Sequence, residues 1–328
     1  MFNKIIVINA LRIASALPLL LPFYTQAVSP QHVIKPATSA YAIQVGDIDV
    51  TALSDGAIVQ DLHKLLRGTS GEMIDSLLAK DQQTNPVNVP ITAYLIALPD
   101  HNVLVDTGAS QLFGPGNGGL LLHSLARLGI APQDITDILL THLHADHAGG
   151  LINDGRRTFP NASVFIGKPD ADFFFNESKQ QQKKYGPRYF ATAKKTLGPY
   201  IDAGQVKTFT GTQTLLTGIA GTVHPGHTPG SSFYTLESKG EKMVFVGDLV
   251  HVAAVQFPQP SVTIIYDQDQ EQAAQVRHVA FSSFAKNGTL IAAPHLPFPG
   301  FGHVARGANQ GYVWLPIPFS GHETIKRK

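Results

Sequence analysis

Residues 141–150 read THLHADHAGG and follow directly after a short apolar segment that is typical of a buried strand. Between His142 and His147 lie four groups that can bind a metal, three imidazoles and one carboxylate. At this chain's own content of His and Asp, such a pattern arises by chance roughly once per 700 proteins. Side chains alternate along an extended loop, so His142 and His144 point to one side while the Asp-His pair that follows can face a second position. The loop therefore predicts two metal ions rather than one.

Three further metal-binding side chains each stand just beyond a predicted apolar strand. They are His227 in the turn-rich stretch HPGHTPG, Asp248 one glycine after its strand, and His295 one proline after its strand. Open α/β sheets place their sites at the carboxyl ends of strands, so these groups can meet the histidine-rich loop. Imidazoles and carboxylates are ligands that suit zinc and its first-row neighbours. The predicted ligands are His142, His144 and His227 for one ion, Asp146, His147 and His295 for the other, and Asp248 as a bridge.

The amino-acid composition excludes several kinds of site and partner. The 328-residue chain has no cysteine, which excludes disulfides, thiolate metal sites, iron–sulfur clusters and thiol nucleophiles. Its 25 basic and 24 acidic residues nearly cancel, so nothing indicates a nucleic-acid partner, whose binding proteins carry a clustered basic face. A content of 43% apolar and only 15% charged residues argues against a disordered chain. The composition therefore indicates a folded chain, in which the 14 histidines are the unusual feature.

The N-terminal segment, residues 1–27, has the pattern of a secretory signal peptide. Basic residues precede the apolar stretch 13–24, and small residues precede a cleavage site at Ala27. The apolar stretch has 12 residues, whereas a bilayer span needs about 20, so we expect no stable membrane anchor. The sequence therefore predicts export to a periplasm-like space after cleavage near Ala27, with residues 28–40 as a flexible arm.

Residues 41–328 carry a mixed pattern of strands and helices. Hairpins of short strands come first, then a helix near 119–129, further strands, and a long alanine-rich helix at Asp269–Lys286 before the last strands. This order predicts two sheets with helices on their outer faces, a four-layer α/β arrangement. Since no change of composition marks a boundary, we predict a single metallo-hydrolase domain over 41–328.

Four segments, in their order and spacing, resemble the metallo-β-lactamase superfamily of binuclear hydrolases: THLHADHAGG (141–150), PGHTPG (225–230), VGDLV (246–250) and AAPHLPFPG (292–300). Others are similar to the methyl parathion hydrolase branch, which also contains lactonases: DIDVTALSDG (47–56), LVDTG (104–108), AVQF (254–257) and GY (311–312). The resemblance implies a four-layer αββα metallo-β-lactamase sandwich with the metals at one edge of both sheets. It implies the same seven ligands, and related enzymes of the branch suggest a homodimer.

The mechanism expected from two ions is hydrolysis. Ions about 3.5–4 Å apart share a water and lower its pKa toward 7, which provides hydroxide for attack on a carbonyl or phosphoryl centre. The predicted catalytic residues are Asp146, whose spare oxygen can orient the hydroxide and move its proton, and Asp248, which holds both ions. Thr141 and Asp106 are candidates for supporting metal-bound imidazoles. The Asp106 segment fits a plain turn after a strand equally well.

The resemblance also implies a substrate pocket. Six residues are predicted to line it: Phe113, Phe174 and Phe190 at an aromatic mouth, with His251, Ile264 and Tyr266 deeper in the cleft. The alternative for the three phenylalanines at 173–175 is that all of them pack in the core. Polar tips on His251 and Tyr266 favour a planar ester over a tetrahedral phosphotriester. We therefore expect a lactone or an aryl ester as substrate, with phosphotriester cleavage as a weak side activity.

Several alternatives stay open at the level of the sequence. The first is an organophosphate hydrolase of the methyl parathion type. A β-lactamase with only His and Asp ligands, a thioester hydrolase and a non-catalytic metal-binding module are the others. Two further histidines are left undecided. His224 fits either the surface or a contact behind the ligands, and His303 fits either a structural loop or the pocket rim.

Overall fold

The computed structural model describes residues 40–175 and 186–318. The predicted signal peptide (1–27) and all but the last residue of the predicted arm (28–40) lie outside the described residues, so both stay predictions. Within the described ranges, no helix has both the length and the hydropathy needed to cross a membrane.

Most strands are short and lie in two large sheets. Numbered along the chain, they are β1 (Ala40–Val45), β2 (Ile48–Gln60), β3 (Leu66–Arg67), β4 (Val87–Ala97), β5 (Asn102–Val105), β6 (Asp137–Leu139), β7 (Ile152–Asn153), β8 (Arg156–Arg157), β9 (Ser163–Gly167), β10 (Val206–Phe209), β11 (Thr212–Leu216), β12 (Ile219–Val223), β13 (Ser232–Ser238), β14 (Glu241–Phe245), β15 (Thr263–Ile264), β16 (Leu290–Ala292), β17 (Phe301–Arg306) and β18 (Tyr312–Pro316).

The helices lie mainly between strands. They are α1 (Leu62–Leu65), α2 (Gly71–Lys80), α3 (Leu121–Arg127), α4 (Ala145–Ala148), α5 (Lys168–Phe175), α6 (Pro187–Asp202), α7 (Ala253–Gln256) and α8 (Gln270–Asn287). Single 3-10 turns occupy Pro132–Asp134, Gly149–Leu151 and Gly247–Leu249.

Each large sheet has seven strands. The first has the order β1-β2-β4-β5-β6-β9-β10, antiparallel from β1 to β5 and parallel from β5 to β10. The second has the order β11-β12-β13-β14-β16-β17-β18, and only the pair β14 and β16 is parallel. Two small two-stranded sheets, β15-β3 and β7-β8, stand beside them.

Strand β4 shows how the layers form. Tyr94 and Ile96 belong to a core cluster that also contains Phe245 of the second sheet, so they lie between the sheets. Ala93 and Leu95 alternate with them and pack on the other face, in the cluster that contains helix residues of α3, α5 and α6. A strand covered on both faces reads as a continuous apolar run because successive side chains point in opposite directions.

Helix α8 covers the outer face of the second sheet. Phe281 and Phe284 pack against Val244 and Ile291 of that sheet in a third core cluster. The helix begins after Asp269, whose side chain accepts a hydrogen bond from the backbone N–H of Gln272. Together with the helices on the first sheet, α8 completes a helix–sheet–sheet–helix sandwich. The predicted four-layer αββα class is therefore confirmed.

Several elements were not expected from the sequence, among them β10 and β11, which stand at the edges of the two large sheets. Two further ones contain buried apolar side chains. One is α2, whose apolar Ile74, Leu77 and Leu78 are buried against the segments that carry α1 and α7. The other is strand β17, which pairs with β16 and β18. Strand β17 lies inside the second sheet, between β16 and β18, and neither element moves the strand ends from which the predicted ligands project.

Candidate metal centre

Asp248 lies at the centre of a cluster of histidines, shortly after β14. Its Oδ2 is 3.1 Å from Nε2 of His227 and 3.6 Å from Nε2 of His142. Its Oδ1 is 3.0 Å from Nε2 of His147 and 3.1 Å from Nε2 of His295. The two oxygens of one carboxylate thus face two different groups of imidazoles, as a bridge between two ions requires.

We name these groups site A, comprising His142, His144 and His227, and site B, comprising Asp146, His147 and His295. In site A, Nδ1 of His144 lies 3.0 Å from Nε2 of His227. In site B, Oδ2 of Asp146 lies 3.5 Å from Nε2 of His295. The candidate ligand atoms of site A and Asp248 lie within 4.8 Å of one another, and so do those of site B. The structure therefore brings all seven predicted ligand residues together.

Unpartnered atoms show what the cluster can accept. Nε2 of His142, Nε2 of His147 and Oδ1 of Asp248 are buried, and none of them has a hydrogen-bond partner. Native proteins rarely leave buried polar atoms in this state without a ligand, ion or water to satisfy them. Here the unpartnered atoms are imidazole nitrogens and a carboxylate oxygen, the donors that divalent first-row ions take. The donor set fits two divalent ions.

The electrostatics of the cluster also favour cations. Burial, together with the neighbouring imidazoles, lowers the pKa of His142 and of His144 well below the usual range, which leaves both rings in the neutral form that metals bind. Burial has the same tendency at His227, but the carboxylates of Asp248 and Asp267 raise its pKa to about 9. A buried position that favours an imidazolium so strongly has a negative potential, and a metal cation benefits from the same potential.

The shape of the histidine-rich loop follows from its small residues. The one-turn helix α4 begins directly after His144, which turns the following Asp-His pair away from the first two histidines. The helix then meets the segment after β5 at very short range. A Cβ atom on Gly149 would lie 2.4 Å from the carbonyl oxygen of Ala109, and one on Gly150 would lie 2.0 Å from that of Thr107. Only glycine fits these two positions.

Site B is supported from behind by Asp106. Its Oδ2 lies 2.8 Å from Nδ1 of His147 and accepts a 2.8 Å hydrogen bond from the Thr141 hydroxyl, while its Oδ1 accepts the Thr141 backbone N–H. The predicted supporting role of Thr141 and Asp106 is thereby confirmed as a contact. The second imidazole of the site, His295, has its Nδ1 2.8 Å from the carbonyl oxygen of Pro90. Such partners fix the ring orientation and leave Nε2 toward the ion.

Site A has a corresponding support that the sequence analysis missed. Oδ1 of Asp267 lies 2.7 Å from Nδ1 of His227, and its Oδ2 accepts the backbone N–H of Ile264. Asp267 is only 4% exposed. Burial disfavours its charge, yet the hydrogen bond from His227 and the charge of Arg277 keep its pKa below the ordinary value. An aspartate in the turn after β15 gave no sequence signal of this contact.

A second missed carboxylate joins the two loops that carry the histidines of site A. Asp170, at the start of α5, is fully buried and accepts the backbone N–H of Leu143 through Oδ2 and that of Gly230 through Oδ1. Leu143 stands between two ligand histidines, and Gly230 stands three residues after His227. Burial raises the pKa of Asp170 to about 6. One helix residue thus ties a loop of the first sheet to a loop of the second.

A cavity of about 310 Å³ opens above the two sites. Its floor includes Asp146, Asp248 and His295, and its walls are mainly apolar and aromatic. The lining residues are Ile58, Gln60, Val89, Phe113, Leu143, His144, Ala145, Asp146, Arg188, Tyr189, Thr192, Asp248, His251, Tyr266 and His295. Of the residues predicted to contact substrate, Phe113, His251 and Tyr266 therefore lie where they are expected.

Three other predicted substrate contacts need correction. Phe174 and Phe190 are 0% and 5% exposed and pack with Phe173 in the core between the first sheet and its helices. The alternative of core packing therefore holds for Phe174, and the position predicted for Phe190 is wrong. Ile264 is 1% exposed and packs in the cluster that contains Leu62 and Val262. These side chains lie behind the wall of the cavity and do not line it.

Tyr189 takes the place expected for Phe190. It lines the cavity, and its ring centroid lies 5.4 Å from that of His144. Along α6, Phe190, Ala193, Leu197 and Tyr200 are buried, a spacing of three, four and three residues that marks the core-facing stripe. Tyr189 falls outside this stripe. The periodicity of the helix was therefore the signal that could have separated the two aromatic residues.

The two undecided histidines lie outside the cavity. His224 stacks on Phe233 with ring centroids 4.1 Å apart, behind site A. His303 places its Nδ1 3.1 Å from the carbonyl oxygen of Gly288 and 3.2 Å from that of Thr289. Neither residue is among those that line the cavity.

His251 occupies a position between floor and wall. It lines the cavity, and its Nε2 is 3.1 Å from Oδ2 of Asp248. Its backbone N–H donates to the side-chain oxygen of the buried Gln256, which holds this part of the chain in place. The imidazole thus presents a polar group beside the bridging carboxylate.

Comparison with known proteins agrees with this geometry. A profile of the metallo-β-lactamase superfamily matches residues 87–279. The crystal structure of hydrolase AbOPH, in the β-lactamase superfamily, is 35% identical with a TM-score of 0.83, over 87% of this chain and 100% of that one. AidC, a dizinc quorum-quenching lactonase solved in complex with a product, is 28% identical with a TM-score of 0.78, over 86% of this chain and 99% of that one.

A curated relative adds a similar protein at lower coverage. An N-acyl homoserine lactonase from Bacillus cereus is 27% identical over 180 residues, which are 49% of this chain and 64% of that protein. The chain spans less than two thirds of the length of the curated relatives it matches. The profile match nevertheless covers more than half of the chain and contains the histidine-rich loop, His227 and Asp248. The chain therefore belongs to the metallo-β-lactamase superfamily.

Proposed function

We propose that this protein is a binuclear metal-dependent hydrolase that opens lactones or cleaves aryl esters. The observation that carries the proposal is the position of Asp248, whose two oxygens face site A and site B at the floor of an aromatic cavity. A carboxylate buried between two sets of imidazoles is costly unless cations compensate it, and its two oxygens are placed to face one cation in each site. Two divalent ions would be held by the residues of the two sites.

The two ions, when bound, supply hydroxide at neutral pH and polarise the oxygen of the bond under attack. The protein positions and exchanges protons around that chemistry. Asp146 is the most exposed of the seven candidate ligand side chains with a value of 16%, and it lines the cavity. Its Oδ2 lies 3.5 Å from Nε2 of His295 and its Oδ1 lies 3.8 Å from Nε2 of His147, so the oxygen that is not needed to hold the ion would take up the proton of the nucleophile and pass it to the leaving oxygen.

The walls of the cavity supply binding and orientation. Phe113, Tyr189 and Val89 offer apolar surface for an acyl chain or an aromatic ring. Tyr266 donates its hydroxyl to Oε1 of Gln60 at 3.2 Å, and with His251 it forms a polar strip next to Asp248. Polar groups beside the floor suit the planar carboxyl oxygens of an ester. A tetrahedral phosphotriester needs more room there, so we propose its cleavage only as a weak side activity.

The metal, the location and the assembly complete the proposal. We propose zinc, because the donor set combines imidazoles with carboxylates and lacks thiolates, and because AidC is described as a dizinc enzyme. Export to a periplasm-like space and a homodimer stay predictions. Elemental analysis of the purified protein, N-terminal sequencing of the exported fraction and sedimentation equilibrium test these three points in turn.

The activity itself is tested by a substrate panel on metal-reconstituted protein. The panel contains dihydrocoumarin, an acyl-homoserine lactone, 4-nitrophenyl acetate, methyl parathion and penicillin G. We expect kcat/KM to be highest on a lactone or the aryl ester, with loss of activity in EDTA and recovery on addition of Zn²⁺. A higher value on methyl parathion would instead favour the organophosphate hydrolase, and a higher value on penicillin would favour a β-lactamase. Absence of all hydrolysis by protein that contains two ions would leave a thioester hydrolase or a metal-binding module.

A further inference from the structure

A buried guanidinium lies behind site A. Arg277, in the middle of α8, is 1% exposed, and its hydrogen bonds all lead into the protein. Its Nε donates to the carbonyl oxygen of Leu249 at 2.6 Å, and its Nη1 donates to those of Pro260 and Val262 at 3.0 and 2.6 Å. Removing a guanidinium from water is unfavourable unless nearby groups compensate the buried charge. The position of Arg277 therefore calls for an explanation.

One of its contacts leads to His227. Nη2 of Arg277 is 3.8 Å from Oδ2 of Asp267, and Oδ1 of the same carboxylate is 2.7 Å from Nδ1 of His227. Both Asp267 and Arg277 are almost completely buried, so each supplies the charge that the other needs. An ionised Asp267 accepts the Nδ1–H of His227 and thereby directs the lone pair of Nε2 into site A.

Another contact leads to the bridging carboxylate. Leu249, whose carbonyl oxygen accepts the Nε–H of Arg277, is the residue directly after Asp248. The turn Gly247–Leu249 is a single 3-10 turn that is not part of a longer helix. No surrounding helix therefore holds its backbone in place. The hydrogen bond from α8 therefore fixes the backbone on which the carboxylate is mounted. A planar guanidinium with several N–H groups can serve both directions at once, which a lysine cannot.

We propose that Arg277 is a positioning residue for the metal centre: it holds His227 through Asp267 and Asp248 through the carbonyl of Leu249, and so sets the affinity of site A for its ion. The proposal rests on the two-ion site of the proposed function. Site B is supported by different groups, namely Asp106 at His147 and the Pro90 carbonyl at His295. Because Asp248 faces both sites whereas His227 belongs to site A alone, the loss of Arg277 should weaken the ion of site A more than the ion of site B.

The test is a metal titration that needs no substrate. The variants Arg277→Met, Arg277→Lys and Asp267→Asn are stripped with a chelator and titrated with Co²⁺, whose visible absorption reports each ion as it binds. We expect Arg277→Met and Asp267→Asn to weaken one of the two ions by about 10- to 100-fold, the usual effect of removing a partner of a metal ligand. Arg277→Lys should restore part of the affinity. Arg306→Met, which removes a guanidinium bonded to Ser282 and Tyr312, should leave both ions unchanged.

The identity of the weakened ion is read from a second variant. Asp106→Asn removes the support of His147 and should weaken the ion of site B. If Arg277 acts on site A, the double variant Arg277→Met/Asp106→Asn binds both ions weakly, each by the amount of its own single substitution. If Arg277→Met and Asp106→Asn weaken the same ion, or if Arg277→Met weakens both ions equally, the proposal is wrong.

Folding is monitored separately. Circular dichroism and thermal unfolding of the metal-loaded variants show whether α8 tolerates the substitution. Should Arg277→Met not fold, the titrations of Arg277→Lys and Asp267→Asn decide. Selective loss of one ion in those variants supports the proposal, and unchanged affinities overturn it. Because the titration uses no substrate, its result is independent of which ester the enzyme cleaves.

Discussion

The floor and the mouth of the cavity are built in opposite ways. At the floor, six of the seven candidate ligand residues are buried, and three of them, His147, His227 and His295, are held by carboxylates or a backbone carbonyl at 2.7 to 2.8 Å. At the mouth, Phe113, Tyr189 and Tyr266 are half-buried, and Arg188 is exposed on the first turn of α6. A braced floor permits a single geometry, whereas a looser mouth can adapt to different substrates. We expect changes at the floor to affect metal binding and kcat, and changes at the mouth to affect KM.

The largest effect is expected from Asp248→Asn. The substitution removes the charge of the bridge while it keeps the size of the side chain. We expect kcat to fall at least 10³-fold, about 4 kcal/mol, because both ions lose a shared anionic ligand. The measurement is kcat on 4-nitrophenyl acetate together with the metal content per chain. Asp49→Asn, the same change on an exposed residue of β2, is the control. A variant that keeps two ions and a tenth of the activity would break the distinction between floor and mouth.

The next prediction compares two phenylalanines, one in the core and one at the mouth of the cavity. Phe174→Ala empties a fully buried position and should cost about 3–5 kcal/mol of unfolding free energy. Phe113→Ala removes a half-buried wall residue and should raise KM for long-chain substrates with a far smaller change in stability. Urea denaturation and steady-state kinetics on both variants make the comparison. Equal losses of stability would show that Phe113 is part of the core.

The contrast between the floor and the mouth also shows how much of the site can be predicted from the sequence. The floor was predictable because its residues combine a rare spacing with positions just beyond apolar strands, and the carboxyl ends of strands are where α/β sheets place their sites. The mouth depends on the direction of single side chains on a helix, where adjacent residues differ by about 100°. Tyr189 and Phe190 are both aromatic, and only the core stripe of α6 distinguishes them. A family resemblance identifies such a helix more readily than the face that each residue occupies.

A third prediction concerns Asp170, which ties the two ligand loops together. Its pKa is about 6 in the folded chain and about 3.8 in the unfolded chain, so the folded state binds the proton more tightly. The resulting stabilisation is complete below pH 3.8 and disappears as the pH rises through 6. Its size is about 3 kcal/mol, at 1.36 kcal/mol per pKa unit.

Asp170→Asn should remove this pH dependence. We expect the unfolding free energy of the wild type, minus that of the variant, to fall by about 2.4 kcal/mol between pH 4 and pH 7, most of the full value of about 3 kcal/mol, since the unfolded carboxyl is already partly ionised at pH 4. Urea denaturation in EDTA measures it without a contribution from metal release. Asp172→Asn, on the same helix but exposed, is the control. If the difference in unfolding free energy stayed constant across this pH range, Asp170 would not have the raised pKa on which the prediction depends.

The smallest effect is expected from Tyr266→Phe at the mouth. The substitution removes the hydroxyl that donates to Gln60 and keeps the ring in the cavity. Loss of one hydrogen bond of this kind is worth about 1 kcal/mol, or roughly a fivefold rise in KM, and kcat should hardly change. Kinetics with a lactone and an aryl ester check both constants. A fall in kcat larger than the rise in KM would place Tyr266 in the chemistry rather than at the wall.

The supports of the floor escaped prediction for a different reason. Asp267 and Asp170 are single aspartates in turn or helix-start contexts, where the same residue type serves as an ordinary cap, as Asp269 does for α8. Their importance arises from where the chain folds back. Asp267 meets a histidine 40 positions earlier, and Asp170 meets backbone groups on two different sheets. Contacts between residues so far apart in the chain do not produce a recognisable spacing in the sequence.

The origin of the candidate ligands in both sheets has a consequence for the lifetime of the protein. The histidine-rich loop belongs to the first sheet, while His227, Asp248 and His295 belong to the second, so ions bound between them clamp the halves of the sandwich. A metal present at a thousand times its dissociation constant would add about 4 kcal/mol against unfolding. Loss of the metal ions would then remove the catalytic activity and at the same time make the protein more susceptible to proteases.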